Sequence, residues 1–181
     1  MGKTYERIDD ELQGWIAQQK MFFVATAPLS QDGHVNCSPK GLDTFTILGP
    51  RSAGYVDFVG SGIETIAHLK ENGRIVIMFC AFEGPPMIAR LHGIGRAMFP
   101  GTAEFEQLAA TFTDCRGARS IIQMDVTRIS TSCGSGVPLY EYQGQRETLL
   151  HWTDKQGPDK LLEYQKKKNA VSIDGLAGIE L

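Results

Sequence analysis

Residues 55–80, YVDFVGSGIETIAHLKENGRIVIMFC, carry two β-type runs separated by a single short helix. Tyr55, Val56, Asp57 and Phe58 alternate apolar and polar, the pattern of a half-buried strand. Gly60-Ser61-Gly62 follows, and glycine relaxes the backbone there. Ser61 with Glu64 three residues on forms a capping-box pattern, which predicts a helix starting just after Ser61. Ile63, Ile66, Ala67 and Lys70 share one face of that helix, with the Lys70 stem able to lie along it. Asn72-Gly73 supplies its stop. Ile75, Val76, Ile77, Met78 and Phe79 are too few to span a membrane, and their β-branched content reads as a buried strand.

The same helix start is open to two readings. A glycine-flanked N-terminus presents unpaired N–H groups and the positive end of the helix dipole, which suits an anion. Equally, Ser61 and Glu64 cap a purely structural helix. Asp57 and Glu64 put negative charge nearby, so the anion reading needs a second basic element. Asn36-Cys37-Ser38-Pro39-Lys40-Gly41 offers one, on a neighbouring predicted strand. There Lys40 brings a point charge, Ser38 a hydroxyl, and Gly41 room for a ligand beside the backbone. Lys40 also reads as an exposed charge at a strand end.

The rest of the chain alternates short strands with helices. A helix is predicted over residues 9–19, strands over 21–26, 35–40 and 44–48, and a hairpin turn at Asp32-Gly33. Pro39 marks its strand as one that ends there or lies at an edge. Residues 87–98 form a long strand interrupted by Gly93 and Gly95, which points to a bulge, a barrel bend or a close ligand. Thr102 caps a helix whose stripe, Phe105, Leu108, Ala109 and Phe112, should face the core. Residues 120–132 read as the last long strand. Beyond Gly134-Ser135-Gly136 the chain turns polar but keeps Tyr140, Tyr142, Trp152 and Tyr164. A helix is predicted over residues 159–168, and the tail SIDGLAGIEL has no strong local preference. Strand–helix alternation is too irregular for a doubly wound parallel fold. A small β-barrel with peripheral helices fits.

Composition narrows the partners. A net charge of −3 across 181 residues argues against nucleic acid as the main one. No apolar run approaches membrane-spanning length, and the first residues lack a signal-peptide core. The four cysteines, Cys37, Cys80, Cys115 and Cys133, form no CxxC pair and no zinc spacing, so no metal is expected. Cys37 and Cys80, in strands, read as buried thiols, and a reducing cytoplasmic location follows. His34, His68, His92 and His151 are scattered, with His68 and His92 read as structural, and no catalytic side chain is assigned.

The VNCSPKG strand, the GSGIETIAHLKENGRI helix and strand, and the RLHGIGRA strand follow one another in an order that resembles the pyridoxamine 5′-phosphate oxidase-like flavoproteins. The resemblance runs over residues 12–132 and is nearest a branch carrying SPKG and GSG-ET. It implies a mainly β, α+β fold, the FMN-binding split β-barrel of about six strands with peripheral helices. Residues 1–134 would form the flavin-binding barrel, and residues 135–181 an extension packed on the barrel or on the dimer mate. The family binds FMN at the interface of a homodimer. Lys40 then falls at the FMN phosphate, and Asn36, Cys37, Ser38 and Pro39 beside the flavin ring. Ser61, Gly62 and Thr65 fall at the phosphate-binding helix start, and Arg90 near the flavin of the other subunit. The implied function is an FMN-dependent oxidoreductase acting on a small-molecule substrate or electron donor. The alternative is a non-catalytic flavin- or haem-binding split-barrel protein. The oxidases themselves carry Arg-Lys where Glu64-Thr65 stand here, and end in an arginine–histidine cluster. This chain ends in DGLAGIEL, with Arg146 and His151 set apart from it. The resemblance thus extends to the flavin site and not to pyridoxamine phosphate oxidation.

Overall fold

The computed structural model describes residues 2–180. Met1 and Leu181, the outermost residues of the two expected units, lie outside them. Strands β1 (Thr4–Tyr5), β2 (Phe22–Thr26), β3 (Asn36–Lys40), β4 (Phe45–Gly49), β5 (Ser52–Phe58), β6 (Arg74–Cys80), β7 (Ile88–Met98) and β8 (Ala118–Ser132) form one eight-stranded sheet. Its order is β3-β2-β6-β7-β8-β5-β4, all pairs antiparallel, with β1 added on β8. The outermost strands of that path, β3 and β4, are consecutive in sequence and joined only by residues 41–44. So short a link between opposite ends forces the sheet to curl until its edges face each other. The result is a barrel split along the β3/β4 seam, as the sequence predicts, with β1 as a strand the sequence did not mark.

The barrel interior is apolar. Val24, Ile77, Leu91, Ile122, Met124 and Ile129 are fully buried. Phe22, Phe45, Tyr55 and Phe79 pack ring to ring there, with centroids 4.9 Å apart for Phe45 and Phe79 and 5.6 Å for Phe22 and Tyr55. The β7 bulge falls between His92 and Gly93. A Cβ on Gly93 would collide with the Asp125 carbonyl of β8, so only glycine lets the two strands approach there.

Four helices lie outside the barrel: α1 (Asp10–Gln18), α2 (Glu64–Asn72), α3 (Ala103–Ala109) and α4 (Thr148–Lys168). Asp9 caps α1 by accepting from the Leu12 N–H at 2.9 Å. Gly73, with φ 73°, ends α2 as predicted.

Several expectations need correction. The Ser61–Glu64 capping box does not form: Ile63 is the N-cap of α2 and provides no side-chain hydrogen bond. α3 is short, so of its predicted stripe only Phe105 is buried. β5 is not half-buried, because β4 and β8 flank it on both edges and Asp57 is completely enclosed. The Asp32-Gly33 step sits in a longer loop, residues 27–35, and Gly33 has no left-handed φ. Cys37 is exposed rather than buried, because β3 is an edge strand whose alternate residues face out. The last helix begins at Thr148 and runs through a kink at Gly157 (φ 71°) and Pro158, where the sequence predicts only its second half. All four cysteines are free thiols.

Residues 135–180 lie against the barrel at several points. Tyr140 N–H donates to the Phe82 carbonyl at 2.9 Å, and Tyr142 N–H to Glu83 at 3.1 Å. Thr153 packs on Gly117, and Trp152 meets Tyr164 edge-on at 5.3 Å across the α4 kink. After α4 the chain hooks over α2. Asn169 is fully buried, and Ile179 joins the barrel core cluster.

Candidate functional site

A cavity of about 360 Å³ opens beside the β3 edge, at the start of α2. Its wall holds Asn36, Ser38, Pro39 and Lys40 from β3, Gly62 and Thr65 at the helix start, and Arg119 from β8. Six of the nine residues expected from sequence thus meet around one cavity. The other three do not line it. Cys37 is exposed on the outward face of β3. Ser61 is exposed in the 60–62 loop. Arg90, on β7, donates to the Ser132 hydroxyl at 3.0 Å.

The electrostatics of this cavity centre on Asp57. Its Oδ1 accepts from Lys40 Nζ at 2.9 Å and its Oδ2 from Arg119 Nε at 2.7 Å, with the Ser120 hydroxyl at 3.4 Å from the same Oδ2. Burial alone would raise this carboxyl, but the Lys40 ammonium and the Arg119 guanidinium together outweigh it and hold it below its ordinary value. Two cations share the one buried carboxylate, so Asp57 leaves one of their charges unmatched, and Glu64 is the other carboxylate of the cavity wall. The Lys40 side chain keeps 23% exposure and those of Asp57 and Arg119 are closed off, so Lys40 presents that charge to a ligand.

The same arginine shapes the loop. Arg119 Nη1 donates to the Gly62 carbonyl at 2.6 Å and to the Gly60 carbonyl at 3.2 Å, and Asn169 Nδ2 donates to the Gly60 carbonyl at 2.9 Å. Loop carbonyls that would repel an anion are therefore already engaged. At the helix itself the first backbone bond is Ala67 N–H to the Ile63 carbonyl at 3.0 Å. The N–H groups before it receive no side-chain acceptor from the cap. Glu64 lines the cavity too, but its Oε1 accepts from the Ile173 N–H of the C-terminal hook at 3.3 Å.

A polar chain runs inward from the cavity. Ser38 donates to Asn36 Oδ1 at 3.0 Å, and Asn36 Nδ2 donates to Thr65 at 2.9 Å and to Thr26 at 3.2 Å. Thr26 meets His68 Nδ1 at 2.9 Å. Both Asn36 amide hydrogens are thus spent, which fixes its orientation. Burial holds the His68 imidazole below its ordinary pKa, and its Nε2 has no partner. His68 is structural, as the sequence suggests.

Arg119, Asp57 and Asn169 are what sequence reasoning missed. Asp57 carried a signal, an acid inside the apolar run YVDFV. Its partner became visible only with the β5–β8 register, which sets Asp57 opposite Ser120.

The Pyridoxamine 5′-phosphate oxidase family model matches residues 8–133. A relative from Aspergillus flavus, the pyridoxamine 5′-phosphate oxidase family protein ustO, is 37% identical over 97% of this chain and 77% of its own length. The chain belongs to the pyridoxamine 5′-phosphate oxidase family. Among solved structures, HupZ from Group A Streptococcus superposes with a TM-score of 0.51 at 21% identity, over 67% of this chain and 91% of that one. A protein from Lactobacillus delbrueckii superposes with a TM-score of 0.52 at 13% identity, over 70% and 98% of the two chains. Both likenesses concern the fold.

The cations of the cavity are anchored from behind by a buried carboxylate, and its helix start carries Glu64 and Thr65. Among the described residues no helix is long and apolar enough to cross a membrane, and no group of three or more His, Cys, Asp or Glu suits a metal ion.

Proposed function

We propose that this protein is an FMN-binding oxidoreductase whose cofactor phosphate sits in the 360 Å³ cavity. The observation that carries the reading is the partly exposed Lys40 ammonium, anchored from behind by Asp57 and set beside a helix start whose cap supplies no acceptor. The donor set fits a phosphate: Lys40 gives charge, Thr65 and Ser38 give hydroxyls, and the α2 N-terminus gives backbone N–H groups. Ser61, exposed in the loop one residue before Gly62, would have to turn toward the cavity to add its hydroxyl. Asn36 and Pro39 line the way out along β3, where a flavin ring would run, with Cys37 on the same strand.

When bound, the flavin supplies the redox chemistry, and the protein supplies position and electrostatics. Lys40 holds the anion while Asp57 fixes the lysine. Arg119 and Asn169 keep the loop carbonyls turned to themselves. The C-terminal hook holds Glu64 Oε1, while Oε2 faces Gly62. The polar chain from Ser38 to His68 locks the Asn36 amide.

The functional unit is a homodimer, with Arg90 reaching the partner's flavin. Val35 and Ile173 support an apolar contact surface: they are 73% and 70% exposed and flank the hydrogen-bonded His34–Asp174 pair. Light scattering at micromolar concentration should give twice the chain mass, and a monomer would remove this element. The cytoplasm is the compartment that suits four free thiols.

The test of the function is the absorption spectrum of the purified protein with mass identification of any released cofactor, followed by NADH or NADPH addition. Flavin absorption, the FMN mass and bleaching by a reduced nicotinamide are expected. A Soret band, or a colourless protein that takes up no added FMN, would overturn the reading.

A further inference from the structure

A second cavity, of about 920 Å³, lies between the barrel rim and residues 140–152. It touches the first along residues 39–42 and at Leu149, so the two open on one another across the Lys40–Gly41–Leu42 rim. Nothing in the flavin reading uses it.

This cavity is built rather than incidental. Its outer wall is an irregular strap held by three hydrogen bonds: Tyr140 N–H to Phe82 O, Tyr142 N–H to Glu83, and Gln145 Nε2 to Lys20 O at 3.1 Å. The rim below the strap carries Leu42 and Asp43, two successive non-glycine residues with φ of 60° and 51°. Left-handed backbone at such residues is strained and gathers where a site needs a particular shape. Gln145 also fills the space beside Gly41: a Cβ there would come within 2.9 Å of the Gln145 amide oxygen.

The lining chemistry selects the ligand. Phe82, Tyr140, Tyr142 and Trp152 supply four aromatic rings. The charged lining residues are Lys20, Lys40 and Arg146 against Glu83 and Glu141, and Lys40 is paired at 2.9 Å with the buried Asp57 behind the rim. Glu83 is engaged by the Tyr142 N–H, and Lys20 Nζ lies 5.8 Å from the Tyr142 ring centroid. A large concave space with aromatic walls, whose cations are matched by neighbouring carboxylates once Asp57 is paired with Lys40, favours a planar ring without formal charge. We infer that the 920 Å³ cavity is a separate binding site for an uncharged, planar aromatic small molecule. Its use as the redox partner of a flavin across the Lys40 rim rests on the proposed function, but its capacity to bind does not.

Three probes of nearly equal size test this: 4-nitrobenzamide (neutral), 4-nitrobenzoate (anionic) and 4-nitrobenzylammonium (cationic). The chain has two tryptophans, so a Trp15→Phe background leaves Trp152 as the sole reporter in the cavity wall. Equilibrium dialysis gives the affinities, and nitro quenching of Trp152 locates the site. The neutral probe should quench saturably and bind at least fivefold more tightly than either charged one. Tyr142→Ala should weaken it at least tenfold, and Thr148→Phe, which fills the space, should do the same. FMN-loaded protein should still bind it. Non-saturable quenching, as when a second protomer fills the cavity, overturns the inference. So does preference for a charged probe, indifference to both substitutions, or competition by FMN, which would put the flavin ring itself there. Saturable neutral-probe binding to protein that takes up no FMN would instead leave this site standing and remove the flavin reading.

Discussion

Replacing Asp57 with asparagine removes one negative charge and almost no volume from the centre of the proposed phosphate site. Asp57 has no exposed surface and holds two cations, Lys40 at 2.9 Å and Arg119 at 2.7 Å. In Asp57→Asn those cations face each other with no anion between them. Removing one partner of a buried charge cluster typically costs about 3–5 kcal/mol, because the remaining charge is left uncompensated. Lys40→Gln is the informative comparison, since Asp57 would keep Arg119 and lose only its bond to the ammonium. A charge-assisted hydrogen bond is worth about 1.5–3 kcal/mol, so this variant should lose less. Urea unfolding of both variants without added ligand gives the two losses directly. The sign of the pH dependence follows as well. A carboxyl held below its ordinary value contributes stability that is full above the unfolded range, about pH 4, and is lost as pH falls through the lower folded value. Asp57→Asn should flatten that acid limb. A loss under about 1 kcal/mol for Asp57→Asn, or a larger loss for Lys40→Gln, would refute the view of Asp57 as the buried counter-ion of two cations.

Gly93→Ala should destabilise the barrel by about 1–3 kcal/mol by pushing β7 off β8 at the bulge, measured as a lower urea midpoint; an unchanged midpoint would show that the bulge tolerates a Cβ. Burial holds the His68 pKa below its ordinary value, so its contribution is full above about pH 6.5 and is lost as pH falls below that toward the folded value. The unfolding free energy should therefore fall between about pH 7.5 and 5.5, and His68→Gln should fall less over the same interval; equal slopes would exclude His68 as the source.

Much of the barrel is legible in the chain because its signals are local. The β-branched run of β6, the Gly73 stop and the Thr102 cap each act within a few residues. The split topology is implied only by the family resemblance, because the short link after the Pro39 edge strand does not reveal that it joins opposite ends of the sheet. What the sequence hides is long-range. Asp57 reads as a solvent-facing residue until β4 and β8 enclose β5, and Arg119 has no motif of its own. Lys40 is visible as a cation, yet its anchoring needs the residue 17 positions on. The first half of α4 has little apolar periodicity, and Gly157-Pro158 reads as a break rather than a kink. The hook after Asn169 is held by single bonds to Gly60, Glu64 and Lys70, about 100 residues away, which no local pattern announces.

The central claim is that Lys40 and the α2 start hold the phosphate of FMN, and a pair of titrations tests it most directly. FMN and riboflavin differ by that phosphate alone, so each is titrated against the native protein and Lys40→Ala, with folding of the variant verified by its urea midpoint. Loss of one charged hydrogen bond, about 1.5–3 kcal/mol, predicts that Lys40→Ala weakens FMN about ten- to a hundredfold. Riboflavin binding should stay nearly unchanged. Equal losses for the two ligands would contradict the account, because Lys40 would then serve the ring or the fold and not the phosphate.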